Sequence, residues 1–137
     1  MDNLNATFSV AGSGLFAQSQ RIRIASENLA NAESTGNSPG ANPYTRKVIS
    51  FESELDEASG ANLVQVGDTE LDSSPYRIEK IPGHPAADQS GNVKLPNVNM
   101  LVELSDIREA TRSYDANVQV VKQARDLITM TIDLLKA

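Results

Sequence analysis

The sequence predicts an α+β protein in which long N- and C-terminal helices form a coiled-coil-like pair and a small β-rich insert lies between them. Two observations predict this fold class. Near both ends of the chain, apolar residues recur at alternating steps of four and three, which is typical of a helix packed along a partner helix. Between the ends lie short segments rich in β-branched residues and bounded by Gly, Pro, Asn and Asp. We expect an N-terminal helix in residues 1–32, the insert with its loops in 33–98 and a C-terminal helix in 99–137.

The composition argues against several classes of protein. The 137 residues fit one domain, and the absence of cysteine excludes disulfides and thiolate metal sites. The net charge is -6 and no cluster of Lys or Arg occurs, which argues against nucleic acid as a partner. The sequence contains no run of 18 apolar residues, so we predict no lipid-spanning segment. The first basic residue is Arg21 and no uninterrupted apolar core precedes it, so we expect no cleaved signal peptide.

The N-terminal helix follows an apolar stripe that only Gln18 interrupts. Gly12 and Gly14 fall inside it, and each costs about 1 kcal/mol relative to alanine in a helix interior. Two interpretations stay open: the helix is frayed or kinked there, or the small residues let another backbone come very close. Asn3 is the predicted N-cap. The stripe consists of Leu4, Phe8, Ala11, Leu15, Gln18, Ile22, Ala25, Leu29 and Ala32.

Four short strands are predicted in the insert, with a loop or turn over the acidic residues 52–60. The insert carries ten acidic and five basic residues, and therefore five of the six net negative charges. Large apolar residues are few, so we expect the sheet to need the helices for its stability. The predicted strands are residues 45–51, 62–66, 75–81 and 91–95.

The C-terminal helix is predicted to start after the N-cap Asn99 and to run for about 50 Å. A second apolar line widens its stripe, which predicts more than one neighbour for this helix. Since each helix has only the other to cover its stripe, we expect much of both to become ordered on assembly. The main stripe consists of Met100, Leu104, Ile107, Thr111, Tyr114, Val118, Val121, Arg125, Ile128, Ile132 and Leu135. The second line consists of Leu101, Val120, Ala124, Leu127 and Leu134.

No residue pattern argues for catalysis, a metal or a cofactor. His84 is the only histidine, and a lone loop histidine is more often structural than a ligand. The acidic run in residues 52–57 resembles paired carboxylates, but such a run is more often a solvated surface. Phosphate-binding glycine loops and nucleophile elbows are absent from the sequence. We therefore predict a protein that is not an enzyme.

Residues 13–31 resemble the N-terminal signature of bacterial flagellar rod, hook and hook-associated proteins, most clearly at Asn28-Leu-Ala-Asn31. Tyr114-Asp-Ala-Asn-Val118 and the apolar run to Leu135 resemble the matching C-terminal signature. Residues 82–88 with Gly91, and residues 96–99, are similar to segments of proximal-rod proteins of the C type. The chain departs from those proteins at residues 80–81, where Tyr-Asp is common, and at Met100, where proline is common.

This resemblance implies a structural subunit of the basal-body proximal rod, the helical drive shaft that transmits torque from motor to hook. It implies as partners other copies of the chain, sister rod proteins, the rod-base junction protein and, during secretion, the flagellar type III export apparatus. It also implies a place in the flagellar basal body within the periplasmic space, reached without a cleaved signal peptide. The terminal helices would form an inner tube around the export channel, with the insert outside.

We expect the apolar stripes and the terminal motifs to form the assembly interface. For Val118 and Val121 the alternative is that they pack only within the monomer. The predicted interface residues are Leu15, Ile22, Asn28, Leu29, Asn31, Ile107, Tyr114, Asn117, Val118, Val121, Ile128, Ile132 and Leu135. The insert motif of the family consists of Pro82, Gly83, His84, Pro85, Pro96, Asn97 and Val98.

Two other classes of function stay open at this point. A soluble helical adaptor or chaperone would bind one partner through its heptads and remain a discrete monomer or dimer. A small hydrolase built on His84 would keep its activity after loss of both terminal helices.

Overall fold

The computed structural model describes residues 2–137 and confirms the predicted α+β fold class. Two long helices at the ends of the chain flank a small β-rich insert. The elements in order are α1 (Asp2–Ala30), β1 (Lys47–Asp56), β2 (Ala61–Leu71), β3 (Arg77–Lys80), β4 (Asn92–Leu95) and α2 (Met100–Lys136).

The start of α2 is capped as its sequence predicts. The side-chain oxygen of Asn99 accepts hydrogen bonds from the backbone N–H groups of Leu101 and Val102, at 3.0 and 3.4 Å. Glu103 in the first turn adds a carboxylate where the helix dipole favours negative charge. The corresponding prediction for α1 is wrong, because that helix begins at Asp2 and Asn3 lies inside it.

The strands form two separate two-stranded sheets. In the first, β1 and β2 make a hairpin whose turn ends at Gly60, a residue with φ of 65° that glycine adopts without strain. The predicted loop over residues 52–60 is wrong for its first half, which belongs to β1. Residues 51–55 are exposed on both faces of the strand, so their acidic side chains need no burial. The segment 51–71 carries six acids and no base.

The second sheet pairs β3 with β4 in antiparallel register, from Arg77 opposite Leu95 to Lys80 opposite Asn92. Its two strands differ in burial. All four residues of β3 are exposed, whereas Val93 and Leu95 of β4 are 0% and 3% exposed and belong to the core.

The contacts within the chain define two compact units. The first unit comprises residues 2–22, 50–67 and 108–137, and the second comprises residues 23–49 and 68–107. Each unit thus takes residues from both helices. The buried apolar residues of the first unit are all alanines, namely Ala11, Ala17, Ala110 and Ala124. Those of the second unit are Ile24, Ala25, Ala32, Ala86, Val93, Leu95 and Val98.

Candidate assembly interface

In the first unit, α1 and α2 pack against each other as an antiparallel pair. A side chain placed at Gly14 would bring its Cβ within 2.8 Å of the amide nitrogen of Asn117. Further along α1, Nη2 of Arg21 lies 3.3 Å from a carboxylate oxygen of Glu109. Residue numbers therefore rise along α1 as they fall along α2.

The glycines of α1 separate the two interpretations that the sequence left open. The helix runs through both positions without a break. The Asn117 side chain occupies the space beside Gly14, so a side chain at this position would require the Asn117 amide to shift. Nothing lies within 4 Å of a Cβ built at Gly12, so that glycine serves no packing contact within the described chain.

The buried apolar side chains of both helices in the first unit are small. Ala110 and Ala124 are buried on α2, and Asn117 lies midway between them at a spacing of seven residues. On α1, Ala11 and Ala17 are buried near Gly14. We call this set of six residues the helix seam. Small residues let two helices come close without using their large apolar side chains.

Large apolar side chains of α2 remain exposed on both sides of the helix seam. Val120 and Leu127 follow seam residues by three positions, whereas Tyr114 precedes Asn117 by three positions. With 3.6 residues per turn, these positions lie about 60° from the seam on opposite sides. The Leu127 flank consists of Val120, Leu127 and Leu134, which are 40%, 55% and 79% exposed. The Tyr114 flank consists of Tyr114, Val118 and Ile132, of which Tyr114 and Ile132 are 37% and 44% exposed.

The residues predicted for the interface lie at several depths. Leu135 is almost fully exposed, like Leu134 at the end of the Leu127 flank, and Asn28 is almost fully buried. Half-buried residues are Leu15, Ile22, Leu29, Asn31, Ile107, Asn117, Val118, Val121 and Ile128. Sequence reasoning missed Glu103 and Ala110 in the helix contacts. The alternation of polar residues and alanine every seven positions from Glu103 to Ala124 is the signal that would have found them.

In the second unit, the side-chain amide of Asn28 takes the place of a neighbouring strand at the start of β1. Its nitrogen donates to the carbonyl of Lys47 at 2.8 Å, and its oxygen accepts from the N–H of the same residue at 2.9 Å. The amide nitrogen also lies 3.3 Å from a carboxylate oxygen of Glu103, and the Tyr44 hydroxyl donates to the amide oxygen at 2.8 Å. Asn28 is 1% exposed, and these bonds satisfy its buried amide.

Arg46 connects this asparagine to the rest of the second unit. Its Nε donates to Glu103, which is itself 1% exposed, and its Nη1 lies 3.0 Å from a carboxylate oxygen of Asp72. The backbone N–H of Arg46 donates to the side-chain oxygen of Asn97 at 2.8 Å. The nitrogen of Asn97 then donates to the carbonyls of Asp72 and Ser74. We call Asn28, Tyr44, Arg46, Asp72, Asn97 and Glu103 the polar hub.

The environment of the hub fixes the charge of two of its members. Burial, with the nearby carboxylates of Glu27 and Glu103, raises the pKa of Tyr44 to about 12, so the phenol stays protonated and donates to Asn28. Hydrogen bonds from the side chain and backbone of Ser74, and then Arg46, hold the pKa of Asp72 below its ordinary value of 3.8. Asp72 is therefore a carboxylate at neutral pH.

The first part of the insert motif, residues 82–85, lies at a turn, and the second part, residues 96–98, contributes Asn97 to the polar hub. Gly83 has φ of 86°, and Nδ1 of His84 accepts a hydrogen bond from the N–H of Ala86 at 3.0 Å. Pro96 and Val98 are buried on either side of Asn97, which belongs to the hub.

Within residues 2–137, no group of three His, Cys, Asp or Glu residues is placed to hold a metal ion. None of the described helices has the length and apolar character required to cross a lipid bilayer.

Two family models match the chain, one over each terminal helix. Residues 8–36 match the model described as "Flagella basal body rod protein". Residues 89–134 match the model described as "Flagellar basal body rod FlgEFG protein C-terminal". These two matches include the helix seam and all residues of both flanks.

Curated relatives match 93% to 100% of the chain. The flagellar basal-body rod protein FlgC of Agrobacterium fabrum is 58% identical over 137 residues, which is 100% of this chain and 99% of the relative. FlgC of Escherichia coli O6:H1 is 39% identical over 93% of this chain and 94% of its own length. FlgC of Borreliella burgdorferi is 33% identical over 97% of this chain and 98% of its own length. With identities of this size along both helices and the insert between them, this chain belongs to the FlgC family of flagellar basal-body rod proteins.

Proposed function

We propose that this chain is a structural subunit of the proximal rod that assembles through its two terminal helices into the shaft that transmits torque from motor to hook. The observation that carries the proposal is the pair of exposed apolar flanks on opposite sides of the helix seam. Exposed apolar surface of this kind marks a site of protein contact. A chain whose α2 is apolar on both sides has room for a neighbour on each side.

Two-sided contact is what a tube or filament requires. A subunit that meets one neighbour with one surface and another neighbour with a different surface generates a ring, or a helical filament when the rotation does not close. The interdigitated side chains of such contacts do not slide freely, which gives the assembly the stiffness that torque transmission needs. In this proposal, residues 1–32 and 99–137 act as the assembly segments and 33–98 as the insert.

The finer points of the proposal rest on the resemblance to rod proteins. The partners are other copies of the chain, sister rod proteins and the rod-base junction protein. The chain leaves the cytoplasm through the flagellar type III export apparatus without a cleaved signal peptide and takes its place in the periplasmic part of the basal body. No catalytic role is included, since the buried polar groups of the hub bind one another and His84 accepts a bond within its own turn.

Aspartate substitutions on the two flanks test this function. Leu127→Asp and Ile132→Asp each place a charge on an apolar flank that is solvent-exposed in the isolated chain, so the helix content of the purified protein should stay the same. In an assembled rod the same charge would be buried without a partner. We expect both variants to lose motility and to yield no rods in preparations of basal bodies.

Gln123→Asp is the matched control, because it adds the same charge at an exposed polar position of α2. It should swim like the unaltered strain. Normal motility in both flank variants would contradict the proposed interface. Light scattering separates the remaining alternative, since an adaptor would stay a discrete monomer or dimer at all concentrations, alone or with sister rod proteins.

A further inference from the structure

The helix seam leaves open how far α1 and α2 are displaced along each other. Its buried apolar residues in the first unit are all alanines. A helix with a seven-residue repeat presents nearly the same face after a shift of seven residues. Such a shift moves one helix by about 10 Å along the other. Alanine side chains are small, so their packing differs little before and after the shift and does not select one register.

The contact between Gly14 and Asn117 does distinguish the registers of the first unit. The Asn117 side chain occupies the space beside Gly14, and a Cβ at that position would force the Asn117 amide to shift. After a shift of seven residues in either direction, Asn117 would face Thr7 or Arg21, each of which has a side chain at that place. The exposed ion pair between Arg21 and Glu109 adds little by comparison.

A second polar contact selects the register in the second unit. Asn28 binds Glu103, and Glu103 binds Arg46. A shift of seven residues would place Ala110 where Glu103 lies. Arg46 and the amide of Asn28 would then lose their buried carboxylate partner, and a buried polar group without a partner is strongly unfavourable.

We infer that Asn117 against Gly14, and Glu103 with Asn28, determine the register of the antiparallel helix pair. The positions 103, 110, 117 and 124 of α2 alternate between a polar residue and alanine. The polar residues set the register and the alanines allow the close approach. A single polar residue at a core position sets register in coiled coils in the same way, at some cost in stability. Because the flanks are carried by α2, a fixed register also fixes where they lie along α1.

Alanine substitutions at the two glycines give the first test. Gly12→Ala meets open space, so it should raise the midpoint of thermal unfolding by about 2–4 °C through helix propensity alone. Gly14→Ala gains the same propensity but displaces Asn117, so its midpoint should rise less or fall. In the Asn117→Ala background, Gly14→Ala should match Gly12→Ala. An equal effect of the two substitutions in the unaltered chain would overturn the Gly14–Asn117 contact as a determinant of register.

Crosslinking gives a direct reading of register, because the chain has no cysteine of its own. Val10 and Val120 line one groove of the first unit, and Leu127 would take the place of Val120 after a shift of seven residues. The double variants Val10→Cys/Val120→Cys and Val10→Cys/Leu127→Cys are treated briefly with a short thiol crosslinker, and the initial yield of each product measures the population of the register that brings its two thiols together. We expect the first product to exceed the second by about tenfold or more, which corresponds to 1.4 kcal/mol between registers.

The two cysteine pairs are then placed in the Asn117→Ala/Glu103→Ala background, where the two yields should become similar. Val93→Ala is the control, because it opens a cavity in the buried core without touching a polar contact of the helices. It should leave the ratio unchanged. The inference is overturned if the unaltered chain shows no preference, if the double variant keeps the original ratio, or if Val93→Ala changes the ratio as much.

Discussion

Asn28 lies in the last turn of α1 and Asn31 directly follows that helix, yet their side chains act differently. Asn28 bridges both backbone groups of Lys47 and also binds Tyr44 and Glu103. The side chain of Asn31 donates one hydrogen bond, at 2.8 Å, to the carbonyl of Glu27 in the last turn of the preceding helix. The first asparagine therefore joins segments that are distant in sequence, whereas the second only finishes its helix.

Substitution of these two residues should have unequal effects on stability. Asn28→Ala leaves the hydroxyl of Tyr44 and both backbone groups of Lys47 without their buried partner, so it should lower the free energy of unfolding by about 3 kcal/mol. Asn31→Ala removes one local bond and should cost about 1 kcal/mol or less. Urea unfolding followed by circular dichroism measures both values. Equal losses would show that the amide of Asn28 has no special role.

Asp72 should make the stability of the second unit depend on pH in the acid range. Its pKa in the folded chain is held below 3.8, first by Ser74 and then by Arg46. A lowered pKa stabilises the fold above the ordinary value, and this stabilisation is lost as the pH falls through the folded pKa. Unfolding midpoints measured from pH 6 down to about pH 2 should therefore fall, and they should fall less steeply in Asp72→Asn.

Ser74→Ala provides the matched control for this pH dependence. It keeps the carboxylate of Asp72 but removes a hydroxyl that donates to it at 2.6 Å. The acid-dependent loss of stability should become smaller than in the unaltered chain. A slope identical to that of the unaltered chain in both variants would assign the acid sensitivity to other groups.

Hydrophobic pattern predicted both long helices but not which residues join them. The spacing of the apolar residues was sufficient to identify α1 and α2, because a stripe at steps of three and four is visible in the sequence. The main stripe of α2 is nevertheless largely exposed at Met100, Leu104, Tyr114 and Ile132. The fully buried residues of α2 are instead Glu103, Ala110 and Ala124, and the half-buried Asn117 shares their seven-residue spacing. Such a contact depends on close approach and on the hydrogen-bond partners of buried polar groups, and neither property is visible in one helix alone.

The extent of β1 was underestimated for a related reason. The acidic residues 52–56 look like a loop in sequence, because strands usually bury one face. In this hairpin the strand is exposed on both faces over residues 51–55, so charged residues are tolerated. The four strands themselves were predictable from β-branched residues and from the glycines and prolines that bound them.

At the scale of the helices, a charge at a half-buried position should act on folding and assembly together. Ile128 is half-buried on α2. Ile128→Asp should lower the free energy of unfolding by about 2 kcal/mol and abolish motility, because it buries an unpaired carboxylate. Thr129→Asp, at the exposed neighbouring position, is the control and should do neither. Normal swimming of the Ile128→Asp strain would remove this residue from the interface.

The division of the chain into two units has a consequence for truncation. The second unit uses no residue beyond Ile107, and its polar hub lies entirely within residues 23–49 and 68–107. A chain that ends after Thr129 loses the last exposed apolar residues of both flanks but no residue of the hub. We expect such a chain to keep the slowly exchanging amides of β4 in hydrogen exchange and to lose motility. Loss of this protection in β4 would show that the stability of the second unit depends on residues 130–137.

The acidic hairpin also affects what happens when many copies of the chain come together. Six acids and no base lie in residues 51–71, whereas α1 carries two acids and two bases and α2 carries six acids and five bases. A polymer formed by contacts between the helices therefore accumulates little charge at those contacts, whereas the six acids of each added hairpin raise the repulsive self-energy of the assembly. Since counterions screen solvent-exposed charge, the cohesion of such a polymer should increase with ionic strength. A swimming cell would then hold its shaft together least firmly in the most dilute surroundings.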